Sequence, residues 1–185
     1  MISPDNGQMC YFFKCFVLIS GLLLGACSPS LNWRDVNPEQ TPLRLLFPCK
    51  PDQGERSVPL GGKVVVMKML GCEAGGATFT LGYADLTGVP DFGGGLDYWR
   101  RETLRQINAQ TSRSAPFVIS GAMAIPQSVV VEAHGVKADG SVVVVNVAWF
   151  AIGAFIYQAA VYSDGKSEKA NPPMADTYFS GIGLK

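Results

Sequence analysis

This chain of 185 residues contains a single histidine, His134, which excludes a metal site built from several histidines. His134 lies two residues after Glu132 in an alternating segment, so a strand would place both side chains on one face. Such a pair could act as acid and base, but acyl transfer also needs a nucleophile beside the base. The sequence has no G-x-S-x-G motif. We interpret His134 as a half-exposed strand residue and predict no enzyme, no catalytic residues, no cofactor and no metal site.

The most specific signal lies near the N-terminus. Eleven uncharged residues, Phe16–Ala26, follow Lys14. A membrane-spanning helix needs about 20 apolar residues, whereas this length is typical of the hydrophobic region of a signal peptide. The last three residues of the run and the following Cys27 read LGAC, which resembles the lipobox of bacterial lipoproteins. The resemblance implies that residues 1–26 are a signal peptide and that lipid on Cys27 holds the protein at the membrane. The alternative is a buried N-terminal helix that ends in a free cysteine.

Two further features of the leader bear on its processing. Residues 1–9 contain Asp5 and neither lysine nor arginine, unlike the positively charged start of a signal peptide. Translation that begins at Met9 is therefore the alternative to Met1. Ser28 follows the lipidated position. In the lipoproteins that the lipobox resembles, a residue other than aspartate at this point implies export to the outer membrane, facing the periplasm.

Cys49 and Cys72 are the two cysteines that remain once the leader and the lipidated position are set aside. An even pair in an exported protein predicts a disulfide, because the periplasm is oxidising. The two residues are 23 positions apart. On the chain-entropy model a loop of this size stabilises the fold by about 3 kcal/mol. Two buried thiols or a metal-binding pair are the alternatives, but the sequence offers no third or fourth metal ligand beside them.

One predicted helix carries a cluster of basic and aromatic side chains: Tyr98, Trp99, Arg100, Arg101 and Arg105. Its apolar stripe comprises Leu96, Trp99, Thr103, Leu104 and Ile107. Arg100 falls within the angle of that stripe, where its stem can pack while its charged head reaches solvent. The functional interpretation is that the three arginines receive an anionic ligand or the carboxylate of a partner. The alternative is a solvated helix face on which Glu102 and Asp97, four residues before Arg101, neutralise them.

The composition limits the class of protein. Fifteen basic and fifteen acidic residues balance, and the sequence pI is about 6.6, so the chain has no basic footprint for nucleic acid. A hydrophobic fraction of 48% excludes a disordered chain. The length fits one domain. We predict a lipidated tether over residues 27–42, with Trp33 docked onto the domain surface, and a single domain over residues 43–185.

Alternating and β-branched segments dominate the predicted domain. Strands are predicted over residues 43–47, 63–70, 77–85, 117–121, 128–136, 142–150 and 154–163. The second and third of them form a hairpin with Cys72 near its tip, beside Cys49. A loop with Gly93–Gly95 precedes a helix over residues 96–110, and Pro172 and Pro173 open a short terminal helix. This order predicts an α+β fold, with an antiparallel sheet of about six to seven strands covered by helices.

Several segments resemble PsbP-like proteins. RLLFPCKP at residues 44–51 is similar to their opening strand, and GATFTLGYADL at residues 76–86 to a later strand that ends in a Tyr-x-Asp segment. GAFIYQAAVYSDG at residues 153–165 and ADTYFSGIGL at residues 175–184 are similar to their closing strand and C-terminal helix. The resemblance implies a PsbP-like α/β/α sandwich, a fold that hosts adaptors and binding modules without a shared catalytic set. The Cys49–Cys72 pair departs from this pattern. The chain also resembles an uncharacterised family of proteobacterial lipoproteins.

Together these features predict a non-enzymatic, lipid-anchored cell-envelope protein that binds a partner protein or an envelope component. The alternative is a carrier of a small ligand in a cleft between sheet and helix, lined by residues such as Trp149, Phe155 and Tyr157. An apolar pocket of about 300 Å³ or more with a few converging polar groups would favour the carrier. An exposed apolar patch without a cavity would favour the partner-binding protein.

Overall fold

The computed structural model describes residues 31–60, 62–89, 91–122, 124–164 and 171–185. The predicted signal peptide, Cys27 and Ser28 lie outside the described residues, so the lipoprotein assignment stays a prediction. Within the described ranges, no helix combines the length and the hydropathy that a membrane span requires.

Ten strands and two helices form the described part of the chain. In chain order they are β1 Arg34–Val36, β2 Leu43–Phe47, β3 Asp52–Leu60, β4 Lys63–Ala74, β5 Ala77–Asp85, α1 Phe92–Gln106, β6 Gln110–Pro116, β7 Val129–Val136, β8 Val142–Ile152, β9 Phe155–Ser163, α2 Asn171–Ser180 and β10 Gly183–Leu184. Seven strands form one antiparallel sheet in the order β3-β4-β5-β9-β8-β7-β6, and three form a small sheet in the order β1-β2-β10. The predicted α+β class, with an antiparallel sheet of about six to seven strands, is confirmed.

Both faces of the seven-stranded sheet are buried. Successive residues of a strand point to opposite faces, so Phe79 and Tyr157 enter one core whereas Ala84 and Ile156 enter another. The first core is completed by residues of β2 and α2, and the second by residues of α1. The two helices therefore cover opposite faces of the sheet, as a sandwich of this class requires.

Residues 31–42 belong to the folded domain, which corrects the tether predicted over residues 27–42. β1 pairs with β2, with Arg34 opposite Phe47. The predicted docking of Trp33 is confirmed, because its ring meets Phe79 edge-on with centroids 6.1 Å apart. The polar composition of this segment concealed a short edge strand. The predicted disulfide is also confirmed: Cys49, just after β2, is bonded to Cys72 of β4.

Several strand predictions need correction. The strand predicted over residues 117–121 is wrong, because residues 110–116 form β6 against β7 and the chain then enters a loop. β4 continues to Ala74, beyond the predicted end at Leu70. β3 was not predicted at all. Its sequence, DQGERSVPL, shows no apolar alternation, yet nine of its residues pair with β4. β3 is a strand because its backbone pairs with β4. Backbone pairing leaves no hydrophobic periodicity in the sequence of a polar edge segment.

Helix α1 both begins and ends earlier than the predicted range of 96–110. Asp91 caps its N-terminus, since the carboxylate Oδ1 accepts a hydrogen bond from the Gly94 N–H at 2.8 Å. The glycine run therefore forms the first turn of the helix rather than a loop. At the other end, the Ile107 carbonyl accepts a hydrogen bond from the Val136 N–H at 2.6 Å. This contact with β7 takes the chain out of the helix.

Candidate functional site

A groove of about 340 Å³ lies between α1 and the two outer strands β3 and β4. The helix contributes Tyr98, Trp99, Glu102, Thr103 and Gln106 to its lining. The sheet contributes Arg56, Val58, Pro59, Leu60, Met67, Met69, Gln158 and Tyr162. Apolar side chains with a few polar groups among them are the usual lining of a small-molecule site.

Strand pairing and helical spacing bring these residues together. Arg56 lies opposite Met67 in the β3–β4 ladder, and alternation then places Val58 and Met69 on the same face of the sheet. On α1 the lining residues recur at intervals of three and four, which is one face of a helix. Trp99 and Thr103 are each 9% exposed, so the prediction that both lie on the buried stripe is confirmed.

Trp99 anchors α1 to the sheet through a glycine. A Cβ atom placed on Gly82 of β5 would lie 2.9 Å from Trp99 Cζ2 and 3.1 Å from its Cη2. These distances are shorter than ordinary van der Waals contact, so only a residue without a side chain lets the indole approach this closely. The Trp99–Gly82 contact thereby sets the distance between α1 and the sheet beside the groove.

Gln158 of β9 is the buried polar residue of the groove and is 8% exposed. Its Oε1 accepts a hydrogen bond from Trp149 Nε1 at 2.8 Å and lies 2.7 Å from Thr103 Oγ1. The Thr103 hydroxyl is also 3.0 Å from the Trp99 carbonyl oxygen, so two acceptors lie within reach of its single proton. These contacts join β8, β9 and α1 at one point.

Gln158 is not among the site residues predicted from the sequence. Its signal was present, because Gln158 alternates with Ile156 and Ala160 on one face of β9, and both neighbours are fully buried. A polar side chain at such a position needs a hydrogen-bond partner or a role. That partner, Trp149, lies on the neighbouring strand β8, so only the pairing of β8 with β9 reveals it.

Ion pairs on α1 involve two of the three arginines predicted to bind a partner. Arg105 Nη2 lies 2.8 Å from Glu102 Oε2, and this hydrogen bond lowers the pKa of the Glu102 carboxyl. Arg100 pairs with Asp97 at 2.8 Å, which corrects the predicted pairing of Asp97 with Arg101. Arg101 is exposed. The role of Arg100, Arg101 and Arg105 in binding a partner stays a prediction.

His134 and Glu132 share one face of β7, as predicted. The histidine Nε2 and the glutamate Oε1 are 4.0 Å apart, and 41% of the His134 side chain is exposed. The interpretation of His134 as a half-exposed strand residue is therefore confirmed. Neither residue lines the groove. In the part of the chain that the structure describes, no group of three or more His, Cys, Asp or Glu residues could hold a metal ion.

The cleft predicted from Trp149, Phe155 and Tyr157 is wrong in its residues. Trp149 belongs to the core beside α1, whereas Tyr157 is buried on the opposite face and stacks on Phe150 with centroids 5.0 Å apart. Burial raises the pKa of the Tyr157 hydroxyl. The pairing register explains the separation, since Trp149 lies opposite Gln158 and Phe150 lies opposite Tyr157. The predicted location between helix and sheet is nevertheless where the groove lies.

No family model matches this chain, and a comparison with curated proteins finds no match. Solved structures match it in fold. PsbP of the cyanobacterium Synechocystis sp. PCC 6803 is 10% identical, with a TM-score of 0.49 over 88% of this chain and 99% of that one. A Ran-binding protein of Saccharomyces cerevisiae is 10% identical, with a TM-score of 0.47 over 83% and 96%. A Pseudomonas aeruginosa protein of unknown function is 9% identical, with a TM-score of 0.46 over 78% and 92%. The similarity concerns the backbone path alone.

Proposed function

We propose that this protein is a non-enzymatic, lipid-anchored protein of the bacterial cell envelope that binds a small, largely apolar molecule in the groove between α1 and strands β3 and β4. The observation that carries the proposal is the groove itself. Its volume of about 340 Å³ falls within the range of roughly 300–1,000 Å³ that small-molecule sites occupy. Its described lining contains no serine, cysteine or histidine. The Thr103 hydroxyl and the Glu102 carboxylate in the lining already have partners within the protein, which favours binding over covalent chemistry.

The apolar contribution comes mainly from the sheet side. Met67 is 4% exposed at the floor, and Met69 is 37% exposed nearer the open side. Methionine side chains are flexible and adapt to ligands of irregular shape. Trp99 adds a broad aromatic surface from the helix side. An apolar ligand would therefore replace water on surfaces that are already partly withdrawn from solvent, which is the main source of affinity in such sites.

The groove is tested by filling it. Val58 lines the groove on β3, and Val58→Trp would occupy the space. Val142 is a strand valine outside the lining, 58% exposed, so Val142→Trp is a matched control. We expect saturable binding of the apolar fluorescent reporter N-phenylnaphthylamine to the unlipidated Cys27→Ser chain and to the control, and loss of binding in Val58→Trp. The absence of saturable binding, or binding that Val58→Trp leaves unchanged, would contradict the proposal.

The location in the envelope is supported by the resemblance of the sequence around Cys27 to a lipobox. Cys27→Ser should abolish lipid attachment and leave the protein in the soluble fraction or as an unprocessed precursor. Inhibition of lipoprotein signal peptidase by globomycin should make the precursor of the natural chain accumulate. A Cys27→Ser chain that is processed and still sediments with membranes would overturn the anchoring.

A partner protein is the second candidate, favoured by the exposed outer face of α1. Arg101 has no ion pair among the described residues, and 71% of the Arg105 side chain is exposed. Exposed charges of this kind steer association. Changing both arginines to alanine should weaken capture of a partner from native membranes in a salt-sensitive way. The same change should leave binding of N-phenylnaphthylamine in the groove unchanged. Lys137→Ala, in the exposed turn before β8, is the matched control for lost charge. Capture that the double variant does not alter would remove this candidate.

A further inference from the structure

The orientation of the Gln158 side-chain amide is fixed by chemistry. The indole N–H of Trp149 can only donate a hydrogen bond, so the atom 2.8 Å from it must be the amide oxygen Oε1. Thr103 Oγ1 lies 2.7 Å from the same oxygen and donates its hydroxyl proton to it. The amide nitrogen Nε2 is thereby turned away from both Trp149 and Thr103.

The two N–H groups on Gln158 Nε2 have no acceptor among the described residues. Every hydrogen bond of Gln158 in that part of the chain is made by its Oε1. Nε2 is not among the fully buried side-chain polar atoms that lack a partner in the described ranges. Nε2 is therefore not fully buried, and since Gln158 lines the groove, the groove is the space onto which its donors open.

We propose, on the basis of the function assigned to the groove, that Gln158 Nε2 donates a hydrogen bond to an oxygen of the bound molecule. The ligand is then a small apolar compound that carries a carbonyl or carboxylate oxygen. Gln158 is only 8% exposed and is held in place by Trp149 and Thr103. A donor fixed in this way loses little conformational entropy when it binds an acceptor.

The apolar surroundings make the donor selective. Trp99 and Met67 line the groove with Gln158 and offer no strong acceptor of their own. The Glu102 carboxylate of the lining is already paired with Arg105. A ligand without an acceptor would displace water from Nε2 and leave its donors unpaired, which costs affinity. A ligand with a suitably placed oxygen replaces that water. The site should therefore discriminate between compounds of equal carbon skeleton by the presence of one oxygen.

Acetophenone and ethylbenzene form such a pair, because they share eight carbon atoms and differ in the carbonyl oxygen. We expect the unlipidated Cys27→Ser chain to bind acetophenone about fivefold more tightly than ethylbenzene, the difference typical of one net hydrogen bond. Nitrogen-15 NMR provides the direct measurement. The side-chain amide signals of Gln158 should move on addition of acetophenone and stay in place on addition of ethylbenzene.

Gln158→Glu tests the donor while keeping an acceptor oxygen for Trp149. The variant should lose the preference for acetophenone as its new carboxyl ionises, over about pH 6 to 9, where buried carboxyls titrate. Gln110→Glu, at an exposed position of β6, is the matched control and should keep the preference throughout. Gln158→Glu also assigns the amide signal by its disappearance. If this variant does not fold, the shift in the natural side chain still decides the question.

The outcomes separate this inference from the proposed function. If neither compound competes with N-phenylnaphthylamine, the groove is not a binding site and both fail. If both compounds bind equally and the Gln158 signal does not move, the groove binds apolar molecules but the assigned donor is wrong.

Phenylacetate distinguishes the two kinds of acceptor. Arg56 lines the groove and has no ion pair among the described residues. Binding of phenylacetate that exceeds that of acetophenone, and that Arg56→Gln reduces to the level of acetophenone, would support an acid as the ligand. Binding weaker than that of acetophenone would support a neutral carbonyl compound.

Discussion

Replacing Trp99 with alanine tests whether α1 is held on the sheet as the structure places it. The indole is 9% exposed and belongs to the core formed with Leu96 and Met67. Truncation of a buried tryptophan or phenylalanine to alanine costs about 3–5 kcal/mol, through lost burial and the cavity left behind. One edge of Trp99 lines the groove, where water can enter the vacated space. We therefore expect Trp99→Ala to lower the free energy of unfolding by about 3 kcal/mol, at the lower end of that range.

The contact between Trp99 and Gly82 turns this expectation into a double-mutant cycle. Gly82→Ala places a Cβ 2.9 Å from Trp99 Cζ2, and overpacking of this kind costs about 1–3 kcal/mol. In a Trp99→Ala background the clash disappears, so the same Gly82→Ala change should cost less than about 0.5 kcal/mol. The difference between the two backgrounds is the coupling energy of the pair.

Urea denaturation, monitored by far-UV circular dichroism, measures the free energy of unfolding of the parent, the two single variants and the double variant. Tyr98→Ala is the matched control, because Tyr98 is the next aromatic residue on α1 and is 42% exposed; it should cost less than about 1 kcal/mol. A Trp99→Ala chain as stable as the parent would show that this face of α1 does not pack on the sheet. A Gly82→Ala cost that is the same with and without Trp99 would show that the two residues are not in contact.

Two further predictions follow from covalent and electrostatic contacts. Reduction of the Cys49–Cys72 disulfide should lower the free energy of unfolding by about 2–4 kcal/mol, and non-reducing peptide mapping should recover the two peptides linked; freely alkylated thiols in protein from the periplasm would contradict this. Arg105→Ala should raise the pKa of the Glu102 carboxyl, because the hydrogen bond from Arg105 is what lowers it, and carbon-13 NMR titration measures the change. The pKa of the Glu102 carboxyl is lower in the folded chain than in the unfolded chain. Stabilisation from this pair is therefore present above the unfolded pKa of glutamate and is lost as the pH falls through the folded value. A Glu102 pKa that Arg105→Ala does not move would refute the pairing.

The sequence by itself was sufficient for the elements that bury an apolar face. β5, β8 and β9 were predicted within two residues at each end, because alternation in β5 and continuous apolar runs in β8 and β9 both record burial. The helix stripe placed Trp99 and Thr103 correctly for the same reason. The Cys49–Cys72 disulfide followed from counting cysteines in an exported chain.

Elements defined by pairing rather than burial were decided by the tertiary structure. β3 is polar and mostly exposed, so its role as one side of the groove follows only from its ladder with β4. The predicted position of β6 is wrong because α1 ends early, where the Val136 N–H of β7 donates a hydrogen bond to the Ile107 carbonyl. Periodicity in a sequence reports contact with a core, and an edge strand makes its main contacts through the backbone.

The candidate site shows the same division. Trp99 and Thr103 could be placed on the inner face of a helix from the sequence. Gln158 could be recognised as a polar residue within a buried strand, but neither its fixed orientation nor its open donors could be derived. Those properties depend on Trp149, which meets Gln158 through the register of β8 with β9, and on β3, which closes the far side of the groove. Register and strand order are set by backbone pairing between strands, and a hydrogen bond between side chains on different strands exists only once that pairing has formed.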